Sequence, residues 1–341
     1  MGTVNLVQLA KALGLSKSTV SKALKDSHET SAATKERVKA MAKELNYQPN
    51  PYASSLRKHK SKTIAVVMPQ VDNNFLATAI KGIQMVAHQR EYHVLLYLTY
   101  DDPEREKTIF NVLKSGRVDG IIISTVCTDD DMEHIKEITD LGVSVVFFDR
   151  ICESFPTTKV TANDVESAFQ AVEHLIQQGC KRIAYMYVLQ DFSIGKRRLQ
   201  GYLQALEKHN IPVDESLILR CDQDYEGNYQ LLKSLLNSPN RPDGILSPVE
   251  KMAITAYYVC DELQLNIPND IKIISFTCLS FASLLSPSLT TVVPPAYEMG
   301  EKVATLLMNS LEKKKYKLYN EEIHLPATII ERRSTALMQR I

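Results

Sequence analysis

Apolar residues recur at helical spacing three times in the first 45 positions. Leu6, Leu9, Ala10 and Leu13 fall at i, i+3, i+4 and i+7, the stripe of a short amphipathic helix. Gly14 follows where a cap glycine would. Ser16 is placed to cap a second helix over Lys17–Leu24, with Val20, Ala23 and Leu24 inward and Leu15 packing beside them. Ser31 or Thr34 can cap a third, whose stripe is Val38, Met41, Ala42 and Leu45. Two short helices across a glycine turn, then a third, spell a helix-turn-helix head. Pro49 stops the third helix. Asn50 can cap another that has Pro51 at its first position, and Tyr52–Arg57 is then too short to persist alone in water. Lys58–Lys62 is polar and charged, and marks a boundary.

From residue 63 the pattern changes to short apolar runs alternating with longer amphipathic ones. Strands are expected at Thr63–Met68, Val94–Leu98, Gly120–Ser124 and Val143–Phe148. Helices are expected at Ala77–Arg90, Glu104–Ser115 and Asp131–Leu141. The alternation then restarts. Strands are expected at Arg182–Val188, Gly244–Leu246 and Ile271–Phe276, and helices at Asp164–Gln178, Leu199–His209, Tyr225–Leu236 and Met252–Leu263. Repeated β-α punctuation means mostly parallel sheets covered by helices, and two sets of similar length mean two lobes.

Charge sharpens this division. The formal net charge of the 341 residues is zero, with 40 basic and 40 acidic side chains. Yet residues 1–62 carry 12 Lys/Arg against 4 Asp/Glu. A basic head on an acidic body fits a polyanionic partner for the head, although a solvated basic surface would look the same. No apolar run nears the roughly 20 residues of a membrane helix, and no secretion signal opens the chain, so a cytoplasmic location is expected. Six scattered cysteines without CxxC spacing read as buried thiols rather than a disulfide or metal framework.

The exposed side of the second helix has the chemistry of a major-groove reader. Lys17 and Lys22 can donate to guanine or phosphate. Ser18 shares their face, and the hydroxyls of Ser16, Thr19 and Ser21 let the backbone approach and can bond phosphates. Leu56 at the end of the short helix either wedges between base steps in the minor groove or packs on the body. In the body, ligands of open α/β sheets sit beyond the C-terminal strand ends. The pocket candidates are therefore Asn73, Phe75, Thr125, Asp149, Asp164, Arg198, Glu250 and Thr277, with Asp72, Asn74, Ser124, Arg150, Asn163 and Arg197 beside them. Asn163-Asp164 could equally cap the helix that follows. No Walker loop, GxGxxG, HExxH, GxSxG or assignable Ser-His-Asp set is present. No enzyme, cofactor or metal is expected.

LVQLAKALGLSKSTVSKAL at 6–24 and YQPNPYASSLR at 47–57 resemble the helix-turn-helix and hinge helix of the lactose/galactose repressor (LacI/GalR) family. The likeness extends through VDGIII, VFFDR, AVEHLIQQGCKRIAY, RLQGYLQAL, IPNDIKIISF and PSLTTVVPPAYEMG. The last of these, with LPATII at 325–330, resembles versions from Bacteroides-type bacteria. The resemblance implies a homodimeric repressor that binds a pseudo-twofold double-stranded operator, with a small effector, such as a sugar or sugar acid, shifting the lobes. It implies a DNA-binding domain over 1–58 with a hinge helix at 50–57, a linker at 59–62 and an effector-binding, dimerising body over 63–341. That body resembles periplasmic binding proteins, with lobe one at about 63–161 plus 293–322 and lobe two at about 162–292 plus 323–341. Lys17, Ser18 and Lys22 would read bases, Ser16, Thr19 and Ser21 would approach the backbone, and Asn50, Ala53 and Leu56 would belong to the hinge. Helices beginning near Phe75 and at 104–115 would contribute to the dimer face. Asp149 and Arg198 match the family's ligand-binding pattern. Val249-Glu250 stands where Asn-Asp is common, and Thr277 where an aspartate is common, removing two usual partners of sugar hydroxyls. A dimeric DNA-binding protein with a degenerate cleft is the alternative.

Overall fold

The computed structural model describes residues 4–47 and 61–336, apart from 129, 189, 191, 222–223 and 314. The expected hinge helix at 50–57, with Asn50, Ala53 and Leu56, lies outside the described residues. The chain divides into two compact units, 1–61 and 62–341.

In the first unit, α1 (Leu6–Leu13), α2 (Lys17–Leu24) and α3 (Ala32–Glu44) close around Leu9, Val20, Ala23 and Val38, all fully buried. Asn5 caps α1 by accepting from the Val7 and Gln8 amides, and the Gln8 side chain answers by accepting from the Asn5 amide. Gly14 ends α1 at φ +63°, a left-handed conformation that costs a residue without Cβ little. Ser31, not Thr34, caps α3: its hydroxyl accepts from the Thr34 amide at 3.3 Å. Leu15 is only partly buried.

The second unit holds two six-stranded sheets. Its strands are β1 (Thr63–Met68), β2 (His93–Leu98), β3 (Gly120–Ile123), β4 (Ser144–Phe148), β5 (Lys159–Ala162), β6 (Ile183–Tyr187), β7 (Ile218–Arg220), β8 (Gly244–Ser247), β9 (Lys272–Phe276), β10 (Thr290–Val293), β11 (Glu322–Leu325) and β12 (Thr328–Ile330). Lobe one has the order β11-β5-β4-β3-β1-β2, parallel throughout. Lobe two has the order β12-β10-β9-β8-β6-β7, parallel except for β12 against β10.

Helices cover both faces of each sheet, which is why a central strand such as TIAVVM is apolar at every position from Ile64 to Met68. Ile64, Val66 and Met68 face α4 (Asn74–Gln89) and α11 (Ala296–Glu312). Ala65 and Val67 face α5 (Pro103–Leu113) and α6 (Glu133–Asp140). In lobe two, α7 (Asp164–Gln177) and α8 (Ser193–Lys208) pack on one face, and α9 (Tyr225–Leu236) and α10 (Glu250–Glu262) on the other.

Three crossovers join the lobes: β5 into α7, β10 into α11, and β11 into β12. β11 runs to Leu325 within the lobe-one sheet, so the third crossover falls at 326–327 and not between 322 and 323. Likewise β10 ends at Val293 in lobe two and β5 reaches Ala162 in lobe one. Helix α8 starts at Ser193, six residues before the expected Leu199, so Arg197 and Arg198 sit inside it rather than opening it.

Candidate functional site

On the head, burial of Val20 and Ala23 fixes which side of α2 faces out. Ser16, Lys17, Ser18 and Lys22 are exposed, with Thr19 and Ser21 half-buried beside them. The Ser16 hydroxyl accepts from the Thr19 amide at 3.1 Å and lies 2.8 Å from the Thr19 hydroxyl, so both are already engaged at the helix start. Lys22 is ion-paired with Glu29. Lys17 and Ser18 therefore form the least encumbered part of a basic helical N-terminus, a surface suited to phosphate and base-edge acceptors.

In the body, a cavity of about 470 Å³ lies between the lobes. Lobe one supplies Gln70, Asn73, Phe75, Asp101, Asp149 and Arg150. Lobe two supplies Ile194, Arg198, Tyr225, Glu250, Lys251, Phe276 and Thr277. Asn73 caps α4 by accepting from the Phe75 and Leu76 amides, which spends its carbonyl. Phe75 stacks on Phe148 with ring centres 5.7 Å apart, presenting an apolar wall. Arg198 donates to Asp164 through Nε at 2.8 Å and to the Pro248 carbonyl at 2.7 Å. Its guanidinium lies 3.9 Å from the centre of the Phe276 ring. Arg150 pairs with Asp101 across the lobe-one wall. Glu250 accepts from Asn74 of the opposite lobe at 3.1 Å and from the Thr277 hydroxyl at 2.6 Å, a side-chain bridge across the cleft. Arg197, on the flank, ties α8 to Glu322 and Glu153 of lobe one.

Six of the eight expected pocket residues line this cavity: Asn73, Phe75, Asp149, Arg198, Glu250 and Thr277. Thr125 does not. Its buried hydroxyl donates to Glu106 at 2.9 Å, because the chain turns into the lobe after β3. Asp164 does not line it either, and reaches the site through Arg198. Asp101 and Tyr225 were missed. Asp101 follows β2 closely enough for the strand-end rule to have found it, whereas Tyr225 opens a helix and carried no signal.

Asp149 holds φ +62°, in the left-handed region that aspartate and asparagine tolerate better than most residues. Burial pushes its carboxyl up to about 6; Asp164 adds to this, while Arg150 and Arg198 oppose it. Burial also raises Asp164, against the pull of Arg198. Between its ordinary value and about 6, folded Asp149 binds more proton than the unfolded chain does. Its contribution to stability therefore falls as pH rises through that window. Asp149→Asn keeps the backbone conformation and removes this penalty. It is expected to stabilise the protein at pH 7 by on the order of 2 kcal/mol, and the gain should vanish near pH 4. Urea titrations at both pH values would test this, and a gain of equal size at both would contradict it.

Residues 5–50 match the profile of the bacterial regulatory proteins, lacI family, and residues 172–335 match a periplasmic binding protein-like domain. Among curated proteins, the chain is 30% identical over 333 residues to the HTH-type transcriptional regulator DegA of Bacillus subtilis, covering 97% of this chain and 98% of the relative. It is 29% identical to the HTH-type transcriptional repressor CytR of Escherichia coli, covering 87% of each. Among solved structures, a complex of the transcriptional regulator CelR with cellobiose superposes with a TM-score of 0.72 at 25% identity, covering 97% of this chain and 99% of the other. The lac repressor dimer bound to operator and an anti-inducer superposes at 0.87 with 24% identity over 98% of this chain and 100% of the other, a likeness of fold. Among the described residues, no helix is long and apolar enough to cross a membrane.

Proposed function

The chain belongs to the lacI family of bacterial regulatory proteins, and on that premise we propose that it is a homodimeric repressor whose operator affinity is set by a small ligand held between the lobes. The observation that carries this reading is the pairing of a basic reading helix with a two-lobed cleft that has charged side chains at its centre. A ligand that prefers one arrangement of the lobes shifts the protein toward it. The ligand then changes operator affinity by the same factor by which DNA changes ligand affinity. We read the PSLTTVVPPAYEMG and LPATII runs as those of a Bacteroides-type member.

The cleft chemistry favours a neutral, multiply hydroxylated ligand of sugar size. Phe75, Tyr225 and Phe276 offer apolar faces, while Asp149, Arg150 and Arg198 offer polar ones, the usual mixture of a small-molecule site. A sugar acid fits less well. The charge of Arg198 is already paired with Asp164, and its Nη1 with the Pro248 carbonyl, which leaves Nη2 for a neutral hydroxyl, and Glu250 would face the added charge. The Asn74–Glu250–Thr277 bridge favours one second reading, a cleft that closes without any ligand.

Selection of sites from random DNA at fixed, stated salt tests the regulator reading. A palindromic consensus is expected, and failure to enrich any site with or without cell extract would overturn it. On the selected site, Lys17→Ala is expected to weaken binding about tenfold or more and relax preference at one base pair. Equal loss on random DNA would reduce Lys17 to a phosphate contact. Thermal-shift screening of neutral polyols separates the two readings of the cleft.

A further inference from the structure

We propose that lobe one carries a buried site for one divalent cation of the zinc class, held by Glu106, Cys127 and His134. This inference does not rest on the regulator reading. Glu106 comes from the first turn of α5, Cys127 from the segment after β3, and His134 from the first turn of α6. One donor atom from each lies within 4.8 Å of the others, and all three residues are more than nine-tenths buried.

Among the described residues, the protein leaves one polar atom of this buried cluster without a partner. The Glu106 carboxylate accepts from the Thr125 hydroxyl at 2.9 Å and the Val126 amide at 2.8 Å, and lies 2.9 Å from His134 Nε2. The adjacent Lys107 is taken by Glu104 and Asp131, each at 2.8 Å. His134 Nδ1 is a buried nitrogen with no hydrogen-bond partner among the described residues, and leaving such a group unsatisfied is destabilising. A dication facing the Glu106 carboxylate and a Cys127 thiolate brings the charge to zero, with neutral His134 as the third donor.

The donor set selects the metal. Sulfur, imidazole nitrogen and one carboxylate oxygen suit Zn²⁺ and Co²⁺, whereas Mg²⁺ and Ca²⁺ take oxygen alone. Burial, followed by the neighbouring Glu106 carboxylate, pushes the Cys127 thiol up. The thiol is therefore protonated before binding, and its proton leaves to solvent as the sulfur–metal bond forms, so affinity falls as pH falls. Burial of all three donors makes the site structural. It pins α5, α6 and the β3 exit together, directly behind the cleft wall, where the Thr125 amide donates to the carbonyl of cavity-lining Arg150 at 3.1 Å.

The test is a Co²⁺ titration of the full chain after stripping with chelator. A single tight equivalent with a near-ultraviolet sulfur-to-cobalt charge-transfer band is expected, with Zn²⁺ displacing it. Cys127→Ser should abolish the band, and should weaken binding by more than the ~100-fold that losing even an outer partner of a metal site can cost. His134→Gln, which keeps the thiol, should weaken binding comparably, and Cys278→Ser should change neither property. Zn²⁺ should raise the melting temperature of the parent and not of Cys127→Ser. Absence of the band in the parent, or its survival in Cys127→Ser, overturns the proposal.

Discussion

Arg198→Ala is expected to destabilise the body by about 3–5 kcal/mol at neutral pH, the cost of breaking a buried ion pair on one side only. Asp164 is 3% exposed and meets Arg198 Nε at 2.8 Å. Truncation leaves that carboxylate in place with its cation gone, and strands the Pro248 carbonyl as well. Burial already raises Asp164, so in the variant it takes up a proton at still higher pH. The deficit relative to the parent is therefore largest above that pH and shrinks as the solution is acidified. The double variant Arg198→Ala/Asp164→Asn removes both charges and is expected to recover most of the loss. Urea unfolding of the parent, both single variants and the double variant gives the coupling directly. A double variant no more stable than Arg198→Ala would place the cost in the emptied volume over Phe276 instead. The functional consequence follows from the same geometry: a lost effector response in Arg198→Ala alone confounds recognition with folding. In the double variant the loss, about 10- to 100-fold in ligand affinity, reports recognition.

Sequence reading recovered the elements in which local and tertiary preferences agree. The head is legible nearly to the residue, because each of its helices carries an apolar stripe and the second and third have caps that the structure uses, Ser16 and Ser31, while the Asn5 cap of the first was not read. Strands β1, β3, β4, β6, β8 and β9 are legible because burial on two faces makes them mostly apolar, and so is the edge strand β2. The short strands of mixed composition were not, whether inside a sheet, as β5 and β10 are, or at an edge. Strands β5, β7, β11 and β12 are three or four residues long and mix polar with apolar positions, as in KVTA and EIHL. They exist because neighbouring strands complete their hydrogen bonds, and no local pattern reports that. The first turn of α8, Ser193–Lys196, precedes the expected start and contains Gly195, a poor helix former. It is held by tertiary burial, with Ser193, Ile194 and Gly195 all buried. Most of the expected pocket residues do line the cavity, and Thr125 failed because its hydroxyl serves Glu106 inside the lobe.

Gly82→Ala and Gly300→Ala are each expected to cost about 3 kcal/mol, at the upper end of what inserting one methyl into a packed core costs. In lobe one, α4 and α11 approach so closely that a Cβ on Gly82 would lie 2.2 Å from the Tyr297 carbonyl oxygen and 2.9 Å from the Glu301 amide nitrogen. A Cβ on Gly300 would lie 2.1 Å from the Ala79 carbonyl oxygen. These obstacles are backbone, so no rotamer change relieves them and the two helices must part. Parting them loosens the layer that covers Ile64, Val66 and Met68. Because either methyl forces the same separation, the second adds less than the first, and the double variant should fall short of the sum of the singles. Lobe two repeats the device: a Cβ on Gly201 of α8 would lie 2.1 Å from the Val165 carbonyl oxygen of α7, and Gly201→Ala should cost a similar amount. Denaturant unfolding decides the matter. A loss below about 1 kcal/mol in Gly82→Ala would mean that the helices yield without strain. A full loss in both lobes would identify paired close helix contacts as the framework that sets Phe75, at the start of α4, and Arg198, within α8, on opposite sides of the cleft.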